Sequence, residues 1–155
     1  MRSLYRIDLK ILDVLQRDGR IAMTELAERV NLSATPCSER VRRMEREGVI
    51  MGYYARVNPA ALGKHLLVFL EIKLSAKSGD VFEQVKKELA FVPEVMECHL
   101  VSGDFDYLIK ARLAEMSKYR QLLGEILKRM PASAESRSYV VMEEIKETLY
   151  LAVDR

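Results

Sequence analysis

Arg42, Arg43 and Arg46 follow closely on Ser38, Glu39 and Arg40 in one short stretch of the chain. A guanidinium carries its donors in a planar fork that matches a phosphate, or the O6/N7 edge of guanine. At 100° per residue, Glu39, Arg42, Arg43 and Arg46 fall on one side of a helix, with Cys37, Val41 and Met44 opposite. A helix of this kind packs its small apolar face inward and offers its arginines to a DNA groove. A solvated amphipathic helix has the same pattern. A second grouping is Ser102-Gly103-Asp104-Phe105-Asp106. Gly103 permits a positive φ, so successive amides can converge on an anion, while Asp104 or Asp106 offers a carboxylate to an ammonium. Together these groups suit the two charges of a free amino acid. The same residues also make an ordinary hairpin turn with solvated aspartates.

Other reactive residues do not combine. Cys98 and His99 are neighbours on an expected strand, so they point to opposite faces and cannot easily share a metal with Asp104 or Asp106. Glu143-Glu144 reads as a solvated strand end, and His65 has no evident partner. There is no nucleophile with a recognisable base, no Walker loop and no dinucleotide fingerprint. The expectation is a non-enzyme without cofactor or metal. Cys37 and Cys98 lie far apart, which fits a reducing compartment rather than a disulfide framework. No apolar run approaches the ~18 residues of a membrane span, and no secretory signal pattern opens the chain. A cytoplasmic protein with no membrane partner is expected.

The net charge of +2 over 155 residues announces nothing, but its distribution does. Residues 1–57 hold eleven basic and eight acidic groups, a net of +3, and ten of the eleven are arginine. Residues 58–155 hold fourteen and fifteen, a net of −1, with lysine outnumbering arginine nine to five. Phosphate-matching side chains are thus concentrated in the first third.

The elements that must carry these groups follow from periodicity. Ile7, Ile11, Leu12, Val14 and Leu15 form the apolar stripe of a first helix ending near Asp18-Gly19. Thr24 is the expected cap of a second helix, with Leu26, Ala27 and Val30 facing inward and Asn31 at the turn. Thr35 is the expected cap of a third, with Pro36 at its first position and Gly48 as its stop. Two short helices joined by a tight turn make a helix-turn-helix. Residues near the start of its second helix meet base edges and later ones meet phosphates. That assigns Ser38, Glu39 and Arg40 to bases and Arg42, Arg43 and Arg46 to the backbone, with Ser33 and Thr35 at the helix entry. Glu39 pairing with Arg43 one turn on is the alternative. Val49 to Val57 has strand character suited to a wing.

Asn58 to His65 reads as a linker, giving domains at 1–57 and 66–155. Leu66–Leu74 alternates as a strand, with Val68, Leu70, Ile72 and Leu74 on one face. Asp80 and Glu83 form a capping-box pair for a helix. Val95–Ser102 and Phe105–Leu113 are expected strands joined by a tight turn at Gly103-Asp104. Met116–Met130 is a helix, and Ser138–Met142 and Thr148–Val153 are strands. The fold class is therefore α+β: a winged helix-turn-helix, then a ferredoxin-like βαββαβ domain. Helices cover only one face of such a sheet, so a second copy is the expected cover for the other.

The chain resembles the leucine-responsive regulatory protein (Lrp/AsnC, feast/famine) family. The resemblance rests on Ser33 to Arg43, on Glu97-Cys98-His99-Leu100-Val101-Ser102-Gly103-Asp104-Phe105-Asp106-Tyr107, and on Tyr139-Val140-Val141-Met142-Glu143-Glu144. It implies a transcriptional regulator that binds double-stranded DNA and senses an amino acid, built from homodimers that assemble further, commonly into octamers. It also implies an effector site around the Gly103 turn, at an interface between dimers. That carries Leu100, Gly103, Asp104, Asp106, Met116, Tyr139, Val140 and Val141 into its neighbourhood. Met116, Tyr139 and Val140 leave room for an aliphatic side chain, which favours leucine. A location at the bacterial nucleoid follows from the same resemblance. Ala34, where relatives often have proline, and Ser38, where a larger apolar residue is usual, depart from the pattern at the start of the reading helix.

Two other functions compete: a nucleoid-organising protein that wraps DNA with little sequence choice, and an amino-acid-binding regulatory subunit of an enzyme. The arginine-rich face of residues 37–48 speaks against the second, because protein-docking helices more often expose apolar anchors.

Overall fold

The computed structural model describes residues 4–131 and 133–153, which form two compact units, each around its own core. One unit holds the described residues up to Arg56 together with those from Lys146 onward, and the other is Val57–Ile145. The sequence assigns residues 146–153 to the second domain; the structure groups them with the first.

The first unit contains α1 (Arg6–Arg17), α2 (Met23–Arg29) and α3 (Ala34–Arg46). Ile11, Leu26, Val30, Cys37 and Met44 are buried where the three helices meet. Ala27, also buried, is small enough to let α3 cross closely. Asn31 takes the left-handed conformation (φ 58°) that the turn between α2 and α3 requires. Gly48 (φ 70°) ends α3, and the Val49 amide returns to the Met44 carbonyl at 2.8 Å.

Helix starts differ from expectation. α2 opens behind Ala22 and α3 behind Ser33, so Thr24 and Thr35 lie within first turns rather than at caps. Pro36 is tolerated there because the opening amides of a helix have no acceptor within it. The first helical amide bond of α3 is Cys37 to the Ser33 carbonyl.

Two expected strands do not form. Residues 49–57 leave α3 without strand pairing, and the Tyr53 hydroxyl donates to Glu45 at 3.0 Å. Residues 148–153 bond to side chains of α1 instead of joining a sheet. A strand exists only by its ladder, and the described part of the first unit offers none.

The second unit opens with Asn58, whose side chain accepts from the Ala60 amide at 3.0 Å and caps a short 3-10 turn at Pro59–Leu62. Then follow β1 (Leu66–Leu74), α4 (Gly79–Leu89), β2 (Val95–Leu100), β3 (Tyr107–Leu113), α5 (Met116–Arg129) and β4 (Ala134–Val140). The sheet is antiparallel throughout in the order β2-β3-β1-β4. That is the split ferredoxin-like arrangement. Val68, Leu70 and Ile72 of β1 and Ile109 of β3 face α4 and α5, packing on Val85, Leu122 and Ile126. Ser78, not Asp80, caps α4, its hydroxyl accepting from the Val81 amide at 3.4 Å. On the far side Tyr139 is exposed, while Leu100 and Val140, which the register puts on the helix-covered face, are exposed on the two edge strands.

Candidate functional site

Asp8 decides what the arginines of α3 can do. It lies on the inner side of α1, is fully buried, and has both carboxylate oxygens engaged. Arg40 approaches Oδ1 at 3.0 Å, while Arg43 at 2.6 Å and the Tyr5 amide at 2.9 Å both donate to Oδ2. Burial pushes the Asp8 carboxyl up, but the Tyr5 amide and the two guanidinium groups more than reverse this and hold it below its ordinary value. The Tyr5 ring lies 5.7–5.8 Å from both guanidinium carbons, close enough for a cation–π contribution. Tyr5, the residue before α1, thus joins the cluster by backbone and ring together.

The expected DNA-contacting residues therefore divide. Arg40 and Arg43 are half-buried and turn inward to Asp8, which replaces the alternative pairing of Arg43 with Glu39. Arg42, Arg46, Glu39, Ser33 and Thr35 are exposed along the helix, and Ser38 is partly so. The outward-facing cations of α3 are Arg42 and Arg46. The sequence reading missed Asp8, although a signal was present: one acid among the apolar residues that α1 packs inward.

In the second unit, the connection between β2 and β3 is longer than a two-residue hairpin. Leu100 pairs with Tyr107, and the Val101 amide donates to the Asp106 carbonyl at 2.9 Å. Gly103 has φ 152°, within the region that favours glycine, and it and Asp104 are exposed at the tip. Asp106 is buried. Its carboxylate accepts from the Leu74 amide at 2.8 Å and pairs with Lys77 at 2.8 Å, while its own amide donates to the Ile72 carbonyl. Burial raises the Asp106 carboxyl, but Lys77 and the Leu74 amide bring it below its ordinary value. Asp106 ties the turn to the end of β1, and Asp104 is the carboxylate that faces outward.

Of the remaining expected effector residues, Leu100 flanks this turn and the others lie elsewhere in the unit. Register places Leu100 beside Tyr107, which pairs with Ile72, whereas Tyr139 and Val140 pair with Phe69 and Val68. Val141 donates to the Leu67 carbonyl, and Met116 opens α5 three residues after β3 ends. Between Leu100 and Tyr139 lie three strand spacings sideways and three residues lengthwise, a separation of about 17 Å. Within one chain the turn and the Tyr139–Val141 group occupy opposite corners of the sheet.

Among the described residues, no group of three or more His, Cys, Asp or Glu is placed to hold a metal, and no helix is long and apolar enough to cross a membrane.

Known proteins show the same two-part organisation. Residues 6–51 match the winged helix-turn-helix DNA-binding family, and residues 67–151 match the Lrp/AsnC ligand binding domain. The leucine-responsive regulatory protein of Klebsiella pneumoniae is 55% identical over 152 residues, spanning 98% of this chain and 93% of that protein. An AsnC family transcriptional regulator from Agrobacterium tumefaciens superposes with a TM-score of 0.90 at 32% identity, covering 96% of this chain and 97% of the other. A transcriptional regulator of Neisseria meningitidis, solved as a complex with L-Met, gives a TM-score of 0.89 at 32% identity, with 97% of each chain covered.

Proposed function

The chain belongs to the Lrp/AsnC family, and on that premise we propose that it is a sequence-specific DNA-binding regulator whose DNA affinity and assembly respond to a free aliphatic amino acid, leucine foremost. The observation that carries the DNA half is the division of the α3 arginines. Asp8 fixes the rotation of the helix, and Arg42 and Arg46 are left outward to grip phosphates on either side of a groove. Base reading falls to Ser38 and Glu39, with Ser33 and Thr35 at the entry.

For the effector half, the exposed Asp104 receives the ammonium, and the amides around Gly103 receive the carboxylate. Met116, Tyr139, Val140 and Val141 contribute the aliphatic wall from another copy, because one chain holds them at the far corner of its sheet. The exposed Leu100 flanks the turn, and the L-Met complex of the Neisseria regulator supports an amino acid as the ligand class. The exposed sheet face and this split site both call for a homodimer that assembles further, to an octamer or a similar ring. Its place is the cytoplasm, at the bacterial nucleoid.

A thermal-shift screen of the common amino acids, followed by DNA-binding titrations on a selected duplex with and without each hit, tests the reading. Leucine or another aliphatic amino acid is expected to raise the melting temperature and to change DNA affinity. If no amino acid moves either quantity, the sensing half fails. Footprints indifferent to sequence would replace a local regulator with a DNA-wrapping protein.

A further inference from the structure

The first unit contains a cavity that reading DNA does not use. It lies between α1, the last turn of α2 and the closing segment of the chain, with a volume of about 440 Å³. Its lining includes four cations, Arg6, Lys10, Arg17 and Arg29, against one carboxylate, Asp13. At 100° per residue, Arg6, Lys10 and Arg17 lie roughly 160–200° around α1 from Asp8. Asp8 points at α3, so this cationic stripe faces away from the reading helix.

The closing segment builds one wall of the cavity. The Gln16 side-chain amide donates to the Leu151 carbonyl at 2.9 Å and accepts from the Leu151 amide at 2.7 Å, as a strand neighbour would. The Tyr150 hydroxyl donates to Asp13 at 2.6 Å, and the Arg17 guanidinium lies over the Tyr150 ring at 4.4 Å. Asp13 also pairs with Arg17 at 3.1 Å, and Arg29 pairs with Glu25 at 2.6 Å. Arg6 and Lys10 have no acidic partner among the described residues. Val14 and Val30 give the cavity an apolar side. Two cations without an acidic partner among the described residues, an aromatic ring and an apolar wall therefore share a space within the usual range for small-ligand sites, about 300–1,000 Å³.

We propose that this cavity is a second ligand site, for a phosphate ester of mononucleotide size, with the phosphates on Arg6 and Lys10 and the planar body against Tyr150 and the valines. Phosphate chemistry is favoured over a lone carboxylate because two cations one helical turn apart can share several anionic oxygens. The site is independent of the amino-acid reading, since all its lining residues belong to the first unit.

Calorimetric titration of the full chain at low salt with ADP, inorganic pyrophosphate and adenosine tests the proposal. ADP is expected to bind at least tenfold more tightly than pyrophosphate, and adenosine not measurably. The double variant Arg6→Glu, Lys10→Glu is expected to lose ADP at least tenfold while keeping its melting transition. Tyr150→Ala, a separate variant, should weaken ADP and leave pyrophosphate unchanged. The site assignment is overturned if ADP does not bind, or binds equally to the charge-reversed double variant. Pyrophosphate matching ADP overturns the aromatic half. Loss of duplex DNA affinity in the double variant without any ADP binding makes the stripe a DNA contact instead.

Discussion

Arg43 of α3 meets the buried carboxylate of Asp8 on α1 at 2.6 Å, across 35 positions of sequence. An arginine that looks like a phosphate contact in sequence is a brace between two helices in the structure.

Substitutions at Arg42 and Arg43 are therefore expected to separate. Arg42→Ala should weaken binding to all duplexes and flatten the dependence of log affinity on log salt by about one unit, with stability changed by less than about 0.5 kcal/mol. Arg43→Ala should leave the salt slope near its original value and lower stability by about 1–3 kcal/mol, because it strips a charged partner from a buried acid. Affinity titrations at several salt concentrations, paired with urea unfolding, distinguish the two. Equal slopes for both variants would return Arg43 to the phosphates.

Asp8→Asn keeps the shape of the side chain but removes the charge that holds Arg40 and Arg43. The first unit should lose about 2–4 kcal/mol, since two half-buried guanidinium groups are left uncompensated. DNA affinity should fall with it, because α3 loses the contact that fixes its rotation. A melting curve unchanged from the parent would show that the brace is idle.

Acid should unfold the protein through Asp8 and Asp106. Both carboxyls lie below their ordinary value in the folded chain, so each contributes stability that is fully present above about pH 4. That stability fades as the pH falls below about 4 and is gone once it passes the depressed native value. Unfolding free energy measured from pH 7 down to 2 should thus be level at first and then drop. In Asp8→Asn the drop should be shallower, and an unaltered profile there contradicts the assignment.

Asp104 and Asp106 should also part company. Asp104→Asn is expected to weaken amino-acid binding about tenfold or more, the magnitude of a lost charged hydrogen bond, without changing stability. Asp106→Asn should destabilise the second unit, because it disturbs the ties to Leu74 and Lys77. Calorimetry with L-leucine and L-methionine, beside thermal melts, reads both. Tight binding by Asp104→Asn would leave the ammonium without its proposed partner.

What was legible in the sequence was what is local. β1 occupies Leu66–Leu74 as its alternation predicts, and Asn31 and Gly48 take the backbone conformations their turns demand. Helix starts slipped by two residues because Thr24, Thr35 and Asp80 are good cap residues close to the actual caps. What was illegible is long-range. Arg40 and Arg43 are paired with a residue more than thirty positions away, and no spacing rule connects them. Asp104 and Asp106 are two residues apart, yet one is exposed and the other buried, and only the register of β1 against β3 reveals which. Residues 148–153 have a strand-like composition, but their partner is a helix at the other end of the chain.

The grip of Gln16 on Leu151 also has a consequence for synthesis. The two residues are 135 positions apart, so at about 5–20 residues per second α1 leaves the ribosome roughly 7–27 s before its partner is made. The intervening unit, Val57–Ile145, has all of its own strands by then. The three helices that carry the arginines are thus born first and fastened last, and a fragment cut at residue 57 would never acquire its clasp.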